Sequence, residues 1–270
     1  MIRFWAIIGN TFREGIAKKT ILTILVLSTL IIGFFLLALN VGGDIVYLFG
    51  AEIDELPEEA LRGFEAAVVA FFYQISIFVG IFAVASFFPS MQEKGTIDLL
   101  LSRPMSRFSI YTAKFLGCMV IVFVVAAYTI LGTWAIFWLK TGIAHKEYLY
   151  TIPIFMLAFF AFMGFIAMVG VITRSTTLSA ILGIFFPFFF SLIFLGLHNS
   201  RILSGYSFWH NFFETLYWIF PKTPELTAWN IDIIAGGAID IDPVSAIWST
   251  LAFAVGTFVI GALIFQKRSY

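Results

Sequence analysis

Six long apolar runs partition this chain: Thr20–Val41, Ala66–Pro89, Phe115–Leu139, Thr151–Thr173, Thr176–Leu197 and Val244–Phe265. Each holds 22 to 25 residues, enough to cross a hydrocarbon core of about 30 Å at a helical rise of about 1.5 Å per residue. Charge scarcely interrupts them, as expected where a charged side chain at mid-bilayer costs roughly 3 kcal/mol on insertion scales. The chain is 61% hydrophobic and 12% charged, and a soluble domain of 270 residues cannot hide that much apolar surface. The expected fold class is all-α: one polytopic membrane domain over 1–270, with six transmembrane helices.

The basic residues give the chain a side. With the amino terminus inside, the inner segments carry eleven of the sixteen Lys and Arg: Arg3, Arg13, Lys18, Lys19, Lys94, Arg103, Arg107, Lys114, Arg174, Lys267 and Arg268. The outer connections carry only Arg62, Lys140, Lys146, Arg201 and Lys222. The bias is strongest beside the first span, as the positive-inside rule requires. Acids run the other way, with only Glu14, Glu93 and Asp98 inside. The zero net charge therefore hides a polarised molecule, expected in the cell membrane with both termini cytoplasmic.

Residues 1–19 precede the first span as an amphipathic segment. The first apolar run is too long for a signal-peptide core and no small-x-small cleavage site follows it, so the segment is expected to stay. Phe4, Trp5, Ile8 and Phe12 share one helical face, while Arg3, Arg13, Glu14 and Lys18 lie away from it. Such a helix rests in the inner interface, either as a plain anchor or as an elbow that also touches a cytosolic partner. Cys118 stands alone, so neither an intrachain disulfide nor a thiolate metal cluster can form, and it reads as a packing residue.

The connection between the second and third spans, centred on 92–109, carries the most information. Gly95 breaks the descending helix. Thr96 is expected to cap a new helix, with Asp98 in its first turn favoured by the helix dipole. Arg103 precedes Pro104 and is pushed out of the α region, which ends that helix. Ser106 then caps the helix of the third span. The product is a short helix bearing Ile97, Leu99, Leu100 and Leu101, and exposed leucines on such a loop need a cover. Lipid is one possible cover. A partner's cleft is the other, with Arg103 and Arg107 at a polar rim.

These residues carry a resemblance. Glu93-Lys-Gly-Thr-Ile-Asp-Leu-Leu-Leu-Ser-Arg-Pro-Met-Ser-Arg107, closing with Lys114-Phe-Leu-Gly117, resembles the signature of the type 2 ATP-binding-cassette permeases. Gly170-Val-Ile-Thr-Arg-Ser-Thr-Thr-Leu-Ser179 is similar to the family's short basic link between spans four and five, and Phe265-Gln-Lys-Arg268 to its basic tail. The likeness covers essentially the whole chain. It implies a coupling helix after the second span, docked on a separate cytosolic ATPase subunit that binds ATP and Mg. It also implies a second permease subunit, identical or different, and mostly export or extraction from the membrane. By motif position the docking element would be Glu93, Gly95, Thr96, Ile97, Leu99, Leu100, Arg103, Pro104 and Arg107.

The chain itself holds no Gly-x-x-x-x-Gly-Lys-Ser/Thr phosphate loop; Gly15-Ile-Ala-Lys-Lys-Thr20 lacks the second glycine and the strand context. That favours a permease subunit without an enzymatic site or cofactor of its own. An intramembrane enzyme would need a His-Glu-x-x-His pair, a Gly-x-Ser-x-Gly elbow or paired aspartates, and none is present. His145, His198 and His210 lie in or beside outer connections and read as solvated loop residues, so no metal site or catalytic residue is expected. Nor is nucleic acid an expected partner. Gln74, Ser76, Thr129, Thr133, Ser179 and Ser191 either line a pathway or hydrogen-bond helix to helix. A channel or assembly platform not driven by ATP is the competing class.

Thirty-four Phe residues would make an apolar pathway suited to hydrophobic or amphiphilic cargo, and Pro187 is expected to kink the fifth span. Spans two and five are expected to flank the dimer axis and the route. Of the two long outer loops, Asp44–Glu65 is acidic and reads as solvated, with Pro57 at the first turn of a helix into span two. The loop 198–243 mixes many aromatics with Pro221 and Pro224, which suggests short helices lying at the outer interface. There they would either lid an exit or receive an outside partner.

Overall fold

The computed structural model describes residues 2–42, 45–48, 51–54, 58–101, 105–199, 207–237 and 242–268. Helix α1 (Ile2–Ala17) leads into α2 (Thr20–Ala38), and a three-stranded antiparallel meander follows: β1 (Leu39–Gly42), β2 (Ile45–Leu48) and β3 (Ala51–Asp54). The register pairs Leu39 with Leu48 and Ile45 with Asp54. Among the described residues this small sheet is the one departure from an otherwise helical architecture. Pro57, expected in the first turn of the next helix, lies outside the described residues.

Helix α3 (Glu58–Ala85) continues through a turn at Ser86 into α4 (Phe87–Met91), and α5 (Thr96–Leu101) hangs below it. Helix α6 (Arg107–Thr141) is the longest, at 35 residues. Ser106 caps it, its Oγ accepting from the backbone N–H of Ser109 at 3.1 Å. At the other end Gly142 takes the left-handed conformation that closes helices. A 3₁₀ turn (Lys146–Tyr150) leads into α7 (Thr151–Thr173).

Among the described residues, five helices are long and apolar enough to cross a membrane: α2, α3 with α4, α6, α7 with its 3₁₀ turn, and α12 (Pro243–Lys267). The remaining apolar run is helical but broken. It consists of α8 (Thr176–Ile184), a π-helical turn (Phe185–Phe189) and α9 (Phe190–Asn199). Pro187 sits inside that turn, and a residue without a backbone N–H is a natural place for the α-ladder to be interrupted. The chain is thus an all-α polytopic membrane protein.

Helix α7 is the axis of the bundle: 78% of its apolar stretch is buried, against 22% in α2. It lies along α12 at very close range. A Cβ on Gly164 would meet the Ala254 carbonyl oxygen at 2.8 Å, and one on Gly261 would meet Met168 Cα at 3.1 Å. Small residues at the contact let the backbones approach, the usual basis of helix association where lipid removes the hydrophobic drive. Phe159, Phe162 and Met163 of α7 are fully buried.

The long outer connection folds into α10 (Ser207–Ile219) and α11 (Thr223–Ala235). Helix α10 presents Phe208, Trp209, Phe212 and Trp218 outward. Helix α11 does not lie on the surface. It packs into the bundle against α3, α7 and α12, with Leu226, Asn230 and Ile234 wholly buried. The hydrogen-bonded contact between Asn230 and Thr151 explains how a polar residue can take that position.

Candidate functional site

The short helix α5 was expected to be capped by Thr96. Instead Thr96 is its first helical residue and Gly95 precedes it with φ of +87°. The cap works from the other side: the Asp98 carboxylate accepts from the Gly95 N–H at 3.3 Å, the acidic half of a capping box. The Glu93 carbonyl accepts from Thr96 and Ile97 N–H, which joins α5 to the turn above it.

Two side chains give this helix an inside and an outside. Ile97 is 3% exposed and belongs to the protein core, whereas Leu99 is 70% exposed. Glu93, Gly95 and Thr96 are also exposed. Arg103 and Pro104 lie outside the described residues, as does the side chain of Leu100. Arg107 is partly turned inward, its guanidinium donating to the backbone carbonyls of Gln266, at 3.2 Å, and Arg268.

Arg107 thereby opens a chain of hydrogen bonds under the bundle. The Arg268 guanidinium donates to Val171 O and Ile172 O at the end of α7, and reaches Gln92 Oε1 at 3.5 Å. Gln92 Nε2 donates to Gly170 O at 3.0 Å and Phe88 O at 3.2 Å. Both roots of the loop, Gln92 and Arg107, are thus tied to the ends of α7 and α12. The carbonyls that a helix C-terminus leaves unpaired find donors here.

A second anchor lies beside it. Glu14 and Lys18 of α1 are expected on the side away from Phe4, Trp5, Ile8 and Phe12, with the cations toward anionic lipid. Both turn toward α4 and α6 instead. Glu14 pairs with Lys114 of α6 and with Lys18, the latter at 2.8 Å, and accepts from Ser90 Oγ at 3.0 Å. Lys18 Nζ also donates to Ser90 Oγ at 3.1 Å, and both ammonium groups stand 5.1 Å from the Phe87 ring. Burial alone raises the Glu14 carboxyl, but Lys114, backed by Lys18, outweighs it and holds the group below the usual carboxylate range. The stripe Ile7, Thr11, Glu14 and Lys18 is therefore the protein-facing side of α1, and Trp5 is 65% exposed. Periodicity found the amphipathic helix, but it could not show that its single acid, Glu14, had a buried lysine waiting a hundred residues away.

On the opposite face the histidines divide. His145, expected in solvent, is buried. Its Nδ1 lies 2.8 Å from Glu65 Oε2, its Nε2 3.6 Å from Glu58 Oε1, and its carbonyl accepts from Trp134 Nε1. His198 pairs with Glu214 and stacks on Tyr217, while His210 is exposed. No group of three metal-ligating side chains occurs among the described residues.

The expected intramembrane hydroxyls mostly bond between elements. Thr129 donates to Ser28, Thr133 shares a hydrogen bond with Tyr148, and Ser191 donates to Pro221 O. Between α3, the π-helical turn, α9 and α11 lies a cavity of about 230 Å³, lined by Gln74, Ile77, Phe188, Leu192, Thr227 and Ile231.

Helix α1, the end of α12, the loop bearing α5 and the C-terminal end of α7 therefore meet on one face, joined by charge-assisted hydrogen bonds. No curated protein is similar enough to serve as a relative. Residues 5–270, however, match the family described as ABC-2 family transporter protein, and the chain belongs to that family of type 2 ATP-binding-cassette permeases.

Proposed function

We propose that this permease subunit exports a hydrophobic or amphiphilic substrate, driven by a separate cytosolic ATPase that docks on the loop 92–109 and supplies the ATP and Mg chemistry. The observation that carries this reading is the asymmetry of α5. Ile97 anchors it in the core, Leu99 is 70% exposed, and its two roots are bonded to α7 and α12. A push on such a helix is delivered to the bundle rather than absorbed by a slack loop. On this reading both termini face the cytoplasm, where the basic residues gather.

The permease acts as a dimer, identical or mixed, with spans two and five beside the axis. Support for that arrangement comes from the cavity between α3 and the π-helical turn, whose lining is largely apolar with a few hydroxyl and amide groups, as an amphiphilic cargo requires. Single cysteines along α3 and along α8–α9 should crosslink across the dimer; failure of both sets ends this placement. For the docking element, Leu99→Asp with Leu100→Asp should abolish co-purification of the ATPase while leaving membrane insertion intact. Normal complex yield would refute it.

A further inference from the structure

We infer that the lateral cleft between α3 and the pair α2–α6 is a binding site for a single acyl chain of a bilayer phospholipid. Helix α3 leans on α7, α8 and α11 and touches α2 and α6 only sparingly. Two chambers result, of about 50 and 40 Å³, which share Ile31, Ser76, Ala126, Thr129 and Phe155 and so form one slot.

The first chamber has a mouth and a floor. Ile24 and Leu27 of α2 and Ile75 and Val79 of α3 are partly or fully exposed at the mouth, whereas Gly80, Ala83, Val122 and Ala126 are buried at the floor. Small side chains there hollow out the slot. Because α2, α3 and α6 all have the length and hydropathy of spans, the mouth opens at bilayer depth, where only hydrocarbon is available to fill it.

Size and chemistry choose the occupant. Along α3 the first chamber runs from Ala83 to Ile75, about 12 Å at the helical rise, close to half of a 30 Å hydrocarbon core and so to one leaflet's chain. A helix of a second copy, about 10 Å across, does not fit a slot this narrow. No charged side chain lines either chamber. The hydroxyls of Ser28, Thr129, Thr133 and Tyr148 are bonded within the protein. The walls thus ask chiefly for carbon contacts, with the hydroxyls of Ser76 and Tyr73 as their polar points, and an unfilled slot would forfeit those contacts. Since α3 continues into α4 and the loop bearing α5, the seated chain sets how far span two can lean toward spans one and three. The inference does not depend on which ATPase docks below.

The test uses the full chain in phosphatidylcholine nanodiscs containing a phosphatidylcholine with a diazirine midway along one acyl chain. After photolysis, adducts are mapped by mass spectrometry. Adducts at Ile75, Val79, Val122 and Ala126 should exceed those at Val255, Val259 and Ile260 on the exposed side of α12. Ala126→Phe, which fills the floor, should lower the cleft adducts about tenfold, the change produced by losing a couple of methylene contacts, and leave the α12 adducts unchanged. Val79→Phe narrows the mouth from a partly exposed position and should do the same if Ala126→Phe misfolds. Cleft labelling no greater than that of α12, or indifferent to the substitution, overturns the assignment.

Discussion

Nδ1 of His145 and Oε2 of Glu65 lie 2.8 Å apart, with side chains only 3% and 1% exposed. They come from the connection after α6 and the beginning of α3, and they bind those two elements together on the face opposite the termini. A carboxyl and an imidazole survive burial here because each gives the other a hydrogen-bond partner, while His145 Nε2 lies 3.6 Å from Glu58 Oε1.

Removing one member of that pair strands the other without a partner. His145→Leu or Glu65→Leu should each destabilise the protein by about 1–3 kcal/mol, the cost of leaving a buried polar group unsatisfied, whereas the double variant should recover much of the loss. Thermal unfolding in detergent measures it, with Glu59→Leu on the exposed side of the same helix as control. A single variant as mild as the control contradicts the structural role.

The Glu14–Lys114 contact makes the attachment of α1 depend on pH. The folded carboxyl titrates below its ordinary value of 4.5, so its contribution is fully present above that value and fades as pH falls through the folded pKa. The protection factors of the α1 amides, which take out the intrinsic slowing of exchange in acid, should therefore fall on acidification below the carboxylate range. Glu14→Gln should show fast exchange at neutral pH and lose that dependence. Lys114→Met should cost about 1–3 kcal/mol, as expected for an acceptor deprived of a charged donor.

Gly164 is where α12 touches the α7 backbone. Gly164→Ala puts a methyl 2.8 Å from the Ala254 carbonyl oxygen, and the helices must part, at a cost of about 1–3 kcal/mol. Gly256→Ala on α12 meets nothing within 4 Å and should be neutral or slightly stabilising, by up to about 1 kcal/mol. Equal melting temperatures for the two variants would remove the close-packing argument.

Gly95 stands at φ +87°, a conformation that costs a residue with a Cβ about 1–2 kcal/mol. Gly95→Ala should loosen the entry to α5 and weaken co-purification of the ATPase. The effect should be smaller than that of the paired Leu99→Asp and Leu100→Asp change, because the docking surface itself is intact. Undiminished complex yield would mean that the turn does not position α5.

Much of this was legible one residue at a time. Gly95 as a break, Ser106 as a cap and Pro187 as an interruption are local events, set by φ, by a hydroxyl within reach of the next turn and by a missing N–H. Pairings were not legible. His145 looked solvated because it lies in an outer connection; it is a loop residue but a buried one, and its partner Glu65 is 80 positions away. Thr96 seemed the cap of α5 because hydroxyl residues favour that place, but the Asp98 carboxylate reached the Gly95 N–H instead. The aromatic loop looked like short helices at the outer interface, and Asn230 with its bond to Thr151 shows why α11 could enter the bundle.

By itself the sequence determined the solvent of each segment: length and hydropathy mark five helices as long and apolar enough to span a bilayer, and the spacing of basic residues gave the molecule two unlike ends. Those are sums over consecutive residues, so no distant contact alters them. Only the tertiary structure decided which polar groups inside or beside the membrane meet. Glu14 with Lys114, Glu65 with His145, and Gln92 with Gly170 and Arg268 are each compatible with their local sequence in several orientations, and the cost of leaving any of them buried without a partner selects one.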